Sequence, residues 1–221
     1  SAVYRSAGFD ATDAVYKPTL KEEVYYLYGI ADSALRMPFN RADYFIARPT
    51  TELFPAVCHP TRTGLLYKGA LSHLDGNIVY IPMLDCVADM QVIFGWDIDD
   101  GQGSEGQDGV VETYSTPLGT GGTITVQSSA SPPIADMQAR VVAALGDPEK
   151  LRNSMKIIKI SILAQIGRRD PGYQYPSSTV VLGDASVDGI TKTYPLSADM
   201  RNYRWKVYRL TVRPKNLISN Q

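Results

Sequence analysis

From Met90 to Trp96 the chain alternates, with Met90, Val92, Phe94 and Trp96 on one parity and Gln91, Ile93 and Gly95 on the other, and it then runs straight into Asp97-Ile98-Asp99-Asp100-Gly101. Successive side chains of a strand point to opposite faces, so a period of two over this many residues specifies an extended segment with one face toward a core. The carboxylates and the glycine that follow are turn formers and stop it. An alternating strand that ends in an acidic glycine turn constrains the chain to a β-scaffold.

Other segments read the same way. Residues 156–166 place Ile158, Ile160, Ile162, Ala164 and Ile166 on one face against Ser161 and Gln165, the pattern of a central strand. Residues 204–213 put Trp205 and Val207 on one parity but Tyr208, Leu210 and Val212 on the other, which predicts a bulge near Val207 and Tyr208. Residues 44–47 and 77–81 are short apolar runs stopped by Pro49 and Pro82, as expected near a sheet edge. Residues 23–28 and 34–37 form a hairpin about Asp32-Ser33, although Thr19-Leu20-Lys21-Glu22 also has the form of a helix capping box.

One helix interrupts the strands. Ser131 caps it, Pro132 is free of cost in its first turn, and Ile134, Met137, Val141, Val142 and Leu145 recur at helical spacing until Gly146. Asp147-Pro148-Glu149 then caps a short turn through Asn153. The glycine and proline content of residues 101–109, 116–122 and 168–178 predicts loops. The fold class expected is therefore α+β, an antiparallel, β-sheet-rich globular domain with one short helix in residues 132–153.

At 221 residues the chain can bury a core of its own, and residues 1–221 are expected to be a single domain, with 1–19 an extended or helical N-terminal segment and 97–109 an acidic loop. Lys and Arg number 22 against 23 Asp and Glu, so no net field points to nucleic acid or to an anionic membrane. No apolar run reaches the ~20 residues that cross a bilayer, and no charged-then-apolar signal opens the chain.

The candidate chemistry lies in one loop. Asp97, Asp99, Asp100, Glu105 and Asp108 supply five carboxylates within twelve residues, with Gly101, Gly103, Gly106 and Gly109 between and after them. Calcium takes six to eight oxygens at about such a turn, and Asp97-x-Asp99-x-Gly101 matches the front of an EF-hand loop without its bidentate glutamate. A calcium loop and an acidic, solvated hairpin tip are both compatible with these residues.

Cys58 and Cys86 allow one intramolecular pairing, or two buried thiols. Of the two histidines, His59 could be grouped with Asp85 and Cys58 as a triad, but no spacing supports it and no Gly-x-Ser-x-Gly elbow occurs. Zinc-ligand spacing and a phosphate-cradling loop are absent, the glycines at 119–122 lacking a following Lys-Ser/Thr. The basic cluster Arg201, Arg204, Lys206, Arg209, Arg213 and Lys215 fits the wet side of an edge strand. No catalytic residue and no cofactor other than calcium is expected, and the chain is read as a non-enzyme.

Four segments in fixed order, Asn40-Arg41-Ala42-Asp43-Tyr44-Phe45-Ile46, Thr63-Gly64-Leu65-Leu66-Tyr67-Lys68, residues 84–97 and the closing strand 204–216, resemble the globular part of PilW-type minor pilins, the low-abundance subunits of bacterial type IV pili. The resemblance spans roughly residues 24–216, and no part of it is a catalytic signature. Family members begin with a basic leader and a long hydrophobic α-helix, neither of which this chain shows. The resemblance implies a pilin-like fold lacking its N-terminal helix, a mature protein that has that helix, and an apolar sheet face partly covered by residues before Leu20. It also implies an oxidising periplasm, and with it a Cys58–Cys86 disulfide bond.

The implied function is a minor pilin that takes part in initiation of pilus assembly and sits at the pilus tip. Its partners would be other minor pilins, the major pilin and a tip adhesin, met through heterologous contacts. Nucleic acid is not among them, and the membrane is reached only through the absent helix. The globular domain would stand in the periplasm, anchored to the inner membrane, and then in the cell-surface pilus. Two neighbouring readings are a minor pseudopilin of type II secretion and a calcium-dependent extracellular adhesin or lectin-like module, for which exposed Trp96, Tyr173 and Tyr175 would stack on sugar.

Overall fold

The computed structural model describes residues 2–3, 24–25, 42–50, 54–71, 78–98, 109–119, 121–129 and 134–214. The chain divides into two compact units, Ser1–Arg41 and Ala42–Gln221. In the first, β1 (Ala2–Val3) pairs in parallel with β2 (Val24–Tyr25). The rest of segment 1–19 and of the hairpin expected at 23–37 lies outside the described residues.

The second unit is an antiparallel sheet. Its strands are β3 (Ala42–Ala47), β4 (Gly64–Leu71), β5 (Ile78–Trp96), β6 (Thr113–Ser115), β7 (Val126–Ser128), β8 (Met155–Ile166) and β11 (Arg204–Val212). They run in the order β11-β8-β5-β4-β3, with β6 added to β5 and β7 to β6. A separate hairpin is made by β9 (Thr179–Gly183) and β10 (Thr191–Pro195). The expected α+β class with a mostly antiparallel sheet is what the chain adopts.

Several expectations need correction. Two helices, not one, occupy the region 132–153: α1 (Ile134–Gly146) and α2 (Pro148–Ser154). Asp147 caps the second, its carboxylate accepting the Glu149 and Lys150 N–H groups at 3.0 and 3.3 Å, which fixes a new helix start directly after Gly146. Pro82 does not end a strand, because β5 continues through it. The ladder slips opposite Met83, where Leu66 faces Leu84 and Tyr67 faces Pro82, so the missing proline donor falls at an irregularity. No bulge occurs in β11, which pairs with β8 without a slip from Arg204 opposite Ile166 to Val212 opposite Ile158. Its two apolar parities simply face different surroundings.

Those surroundings explain the sheet. Hairpin β9–β10 covers one face, where Leu163, Val180, Leu182, Leu196, Met200, Tyr203 and Trp205 form a core. This face also buries Gln91, Ile93, Ser161 and Gln165, residues whose polar members made their parity look outward in the sequence. Helix α1 covers one end of β5 and β8 through Trp96, Met137, Val141 and Met155, with Phe94 and Ile158 packed against them. A third cluster, of Leu66, Val87, Ile162 and Ala164 with Ile46, Leu84, Met90 and Ile160 beside it, consists among the described residues of sheet side chains alone.

Candidate functional site

Asp97 is the one carboxylate of the expected calcium loop whose surroundings are described; Asp99, Asp100, Gly101, Glu105 and Asp108 lie outside the described residues. It sits at the end of β5, fully buried. Its Oδ2 accepts the Gly109 N–H at 3.0 Å and stands 3.5 Å from the Lys156 ammonium. The Asp97 N–H donates to the Ser154 carbonyl oxygen at 2.8 Å, so backbone and side chain both tie the acidic segment to the α2–β8 junction. An ammonium already faces this carboxylate, and a cation bound by the segment would share it. Among the described residues no group of three or more His, Cys, Asp or Glu side chains is arranged to hold a metal.

Cys58 and Cys86 are disulfide-bonded, their Cα atoms 5.0 Å apart, and both are buried. The bond joins loop 54–63 to β5 where Cys86 takes φ 55°, a left-handed conformation that costs a side-chain-bearing residue strain. Around it the loop is fastened to β8. The Gln165 side chain accepts the His59 N–H at 2.8 Å and donates to the Val57 and Gly167 carbonyls at 2.8 and 2.6 Å.

The His59 imidazole is buried against Tyr203, with ring centroids 5.2 Å apart. Thr61 N–H donates to Nδ1 at 3.3 Å, so the proton of the neutral ring is on Nε2, which donates to Asp199 Oδ2 at 2.8 Å. Ser197 donates its hydroxyl to the other oxygen of Asp199 at 2.5 Å. That hydroxyl bond and then the imidazole hold the Asp199 carboxyl down at about 2. The grouping of His59 with Asp85 and Cys58 does not form: Cys58 is consumed by the disulfide, Asp85 is exposed, and the partner is Asp199. Ser197 gives its proton to a carboxylate and not to the ring, which is the geometry of a clamp, not of an activated nucleophile.

Of the aromatic residues expected to stack on sugar, Trp96 is fully buried and its indole N–H donates to Ser115 Oγ at 2.8 Å. The Tyr173 ring has the Arg204 guanidinium over one face at 4.4 Å, and the Tyr175 carbonyl is gripped by Arg201 at 3.0 and 2.9 Å. Among the described residues the large exposed aromatics are instead Tyr44, Tyr80 and Tyr208, on β3, β5 and β11. The basic residues Arg204, Lys206 and Arg209 lie on edge strand β11, Arg204 paired with Asp170 at 3.0 Å; Arg213 follows it, Arg201 precedes it, and Lys215 lies outside the described residues.

Sequence reasoning missed the β9–β10 turn. Asp184 Oδ1 accepts the N–H and the hydroxyl of Ser186 at 3.0 and 2.6 Å, bonds that lower its pKa. Asp188, buried, accepts the Asp184 and Ile190 N–H groups at 3.4 and 3.3 Å through Oδ1 and meets Lys159 Nζ at 3.3 Å through Oδ2. The readable signal was the spacing Asp184-x-Ser186-x-Asp188-Gly189. No protein-family model, no curated protein and no solved structure is significantly similar to this chain.

Proposed function

We propose that this chain is the globular part of a PilW-type minor pilin, a structural subunit that helps to initiate type IV pilus assembly and stands at the pilus tip. The observation that carries the reading is the uneven cover of the sheet among the described residues. On the face opposite hairpin β9–β10, the apolar row beyond α1 runs from Ile46 and Leu66 through Leu84, Met90, Ile160 and Ile162. It continues onto β11, where Tyr208, Leu210 and Val212 pair with Ile162, Ile160 and Ile158 and are 38, 47 and 43 % exposed. An apolar stripe that crosses five strands of the sheet and ends on exposed side chains is finished by an apolar partner, at about 25 cal/mol for each Å² removed from water.

A pilin supplies that partner twice, as the hydrophobic helix of the subunit and as unlike neighbours joined by heterologous contact. The Cys58–Cys86 bond suits the periplasmic and then cell-surface location that such a subunit has. Membrane attachment on this reading belongs to the helix and recognition to other minor pilins, the major pilin and a tip adhesin.

The test is deletion of the gene in its own host, with complementation. Loss of surface pili that is restored by the gene supports the proposal. Retained pili with a loss of protein secretion would move the chain to the minor pseudopilins of type II secretion, which would use the same face. Retention of both would remove the proposal.

A further inference from the structure

The turn that joins β9 to β10 has a ligand-bearing spacing and an oxygen beneath it that nothing satisfies. Asp184, Ser186, Asp188, Gly189 and Ile190 stand where an EF-hand loop has its first, third and fifth side-chain ligands, its glycine and its carbonyl ligand. The twelfth position is Pro195, so the usual bidentate glutamate is missing. Independently of the turn, Gln91 on β5 is nine-tenths buried, and its Oε1 has no hydrogen-bond partner among the described residues. A buried acceptor left without a donor destabilises the fold, so it favours a partner.

Gln91 Oε1 points at the neck of the turn. A Cβ added to Gly183 would come 3.0 Å from this oxygen and would collide with the Ile190 carbonyl oxygen, so both oxygens close on the glycine, here at φ +87°, at the neck of the turn. Ser161 Oγ borders the same place, accepting the Gly183 N–H at 3.3 Å.

We infer that the turn 184–190 is a calcium site, with the Asp184 and Asp188 carboxylates, the Ser186 hydroxyl and the Ile190 carbonyl as ligands and Gln91 Oε1 closing its inner end. The chemistry selects a hard divalent cation, since every donor is oxygen. Two protein cations moderate the site: Lys159 holds Asp188 from the sheet side, and an Arg209 N–H group lies 3.4 Å from the Gly183 carbonyl. The same Lys159 ammonium lies over the Tyr114 ring, 4.6 Å from its centroid, so the ring and Asp188 share its charge. With two carboxylates and a competing ammonium, the affinity belongs to the weak class of extracellular modules, about 10⁻⁴ to 10⁻³ M.

The experiment is calorimetric titration of the chain with calcium chloride, with melting temperature followed in parallel. Asp184→Asn and Ser186→Ala, both at accessible positions of the turn, should each weaken binding about tenfold or more, whereas Lys159→Met should tighten it about tenfold by removing the like charge. Absence of heat and of any gain in melting temperature in the native chain overturns the site, even if Lys159→Met binds. Calcium binding that Asp184→Asn leaves unchanged overturns it as well, and assigns the ion to the carboxylates of residues 97–108.

Discussion

His59 links three parts of the second unit that are far apart in the chain: its main chain is held by Gln165 of β8, its ring by Asp199, and its neighbour Cys58 by Cys86 of β5. The cysteines were expected to pair because the resemblance implies an oxidising compartment, and the bond is formed. Asp199 was not, because a bond across 140 residues is set by the fold and leaves no local pattern. Three outcomes follow at this scale. Asp199 is drawn from an ordinary 3.8 to about 2 in the folded state. A carboxylate depressed in this way stabilises the fold above its unfolded pKa and loses that contribution as pH falls through the folded value. Asp199→Asn should therefore lower the melting temperature at neutral pH, and its deficit against the native protein should shrink between about pH 4 and pH 2. A deficit unchanged over that range would contradict the assignment. The disulfide spans 28 residues, and replacing both cysteines by serine should cost roughly 3 to 4 kcal/mol in denaturant titration. Because Cys86 sits at φ 55°, glycine at 86 in the Cys58→Ser background should be better tolerated than alanine there.

Elements with a long period of two were readable, and those stabilised by packing alone were not. β8 is the clearest case, twelve residues whose alternation is maintained between β11 and β5. Hairpin β9–β10 went unread because each strand has five residues and its turn lacks the two-residue Asn-Gly type of signal. The parity of β5 and β8 was read correctly but its meaning was not: Gln91, Ser161 and Gln165 face the hairpin, where Ser161 and Gln165 hydrogen-bond, and the aliphatic parity faces the less covered side. The second helix arises from its cap, so Asp147→Ala should cost about 1 kcal/mol. Met137, fully buried where α1 meets Trp96, should cost about 2 to 5 kcal/mol on truncation to alanine. Equal small losses from the two variants in thermal or denaturant unfolding would mean that α1 is not part of the core.

At the scale of the second unit, the described residues roof one face of the sheet with the hairpin and the other at one end with α1, and otherwise carry Ile46, Leu66, Leu84, Met90, Ile160 and Ile162 toward exposed Leu210 and Val212. The strand order was beyond the sequence, since which strands neighbour one another depends on non-local pairing, but the two apolar parities of β11 already carried the message that both sides of this strand want apolar surroundings. If the half-covered face is a contact surface for a filament, charge placed on it should stop assembly without unfolding the chain. The decisive measurement is the number of surface pili in a host whose chromosomal copy encodes Leu210→Glu and Val212→Glu, with the stability of the purified variant determined alongside. Pili should be lost while folding free energy changes by no more than about 0.5 kcal/mol per exposed site. A normal number of pili made with this doubly charged subunit would contradict a structural role for the face.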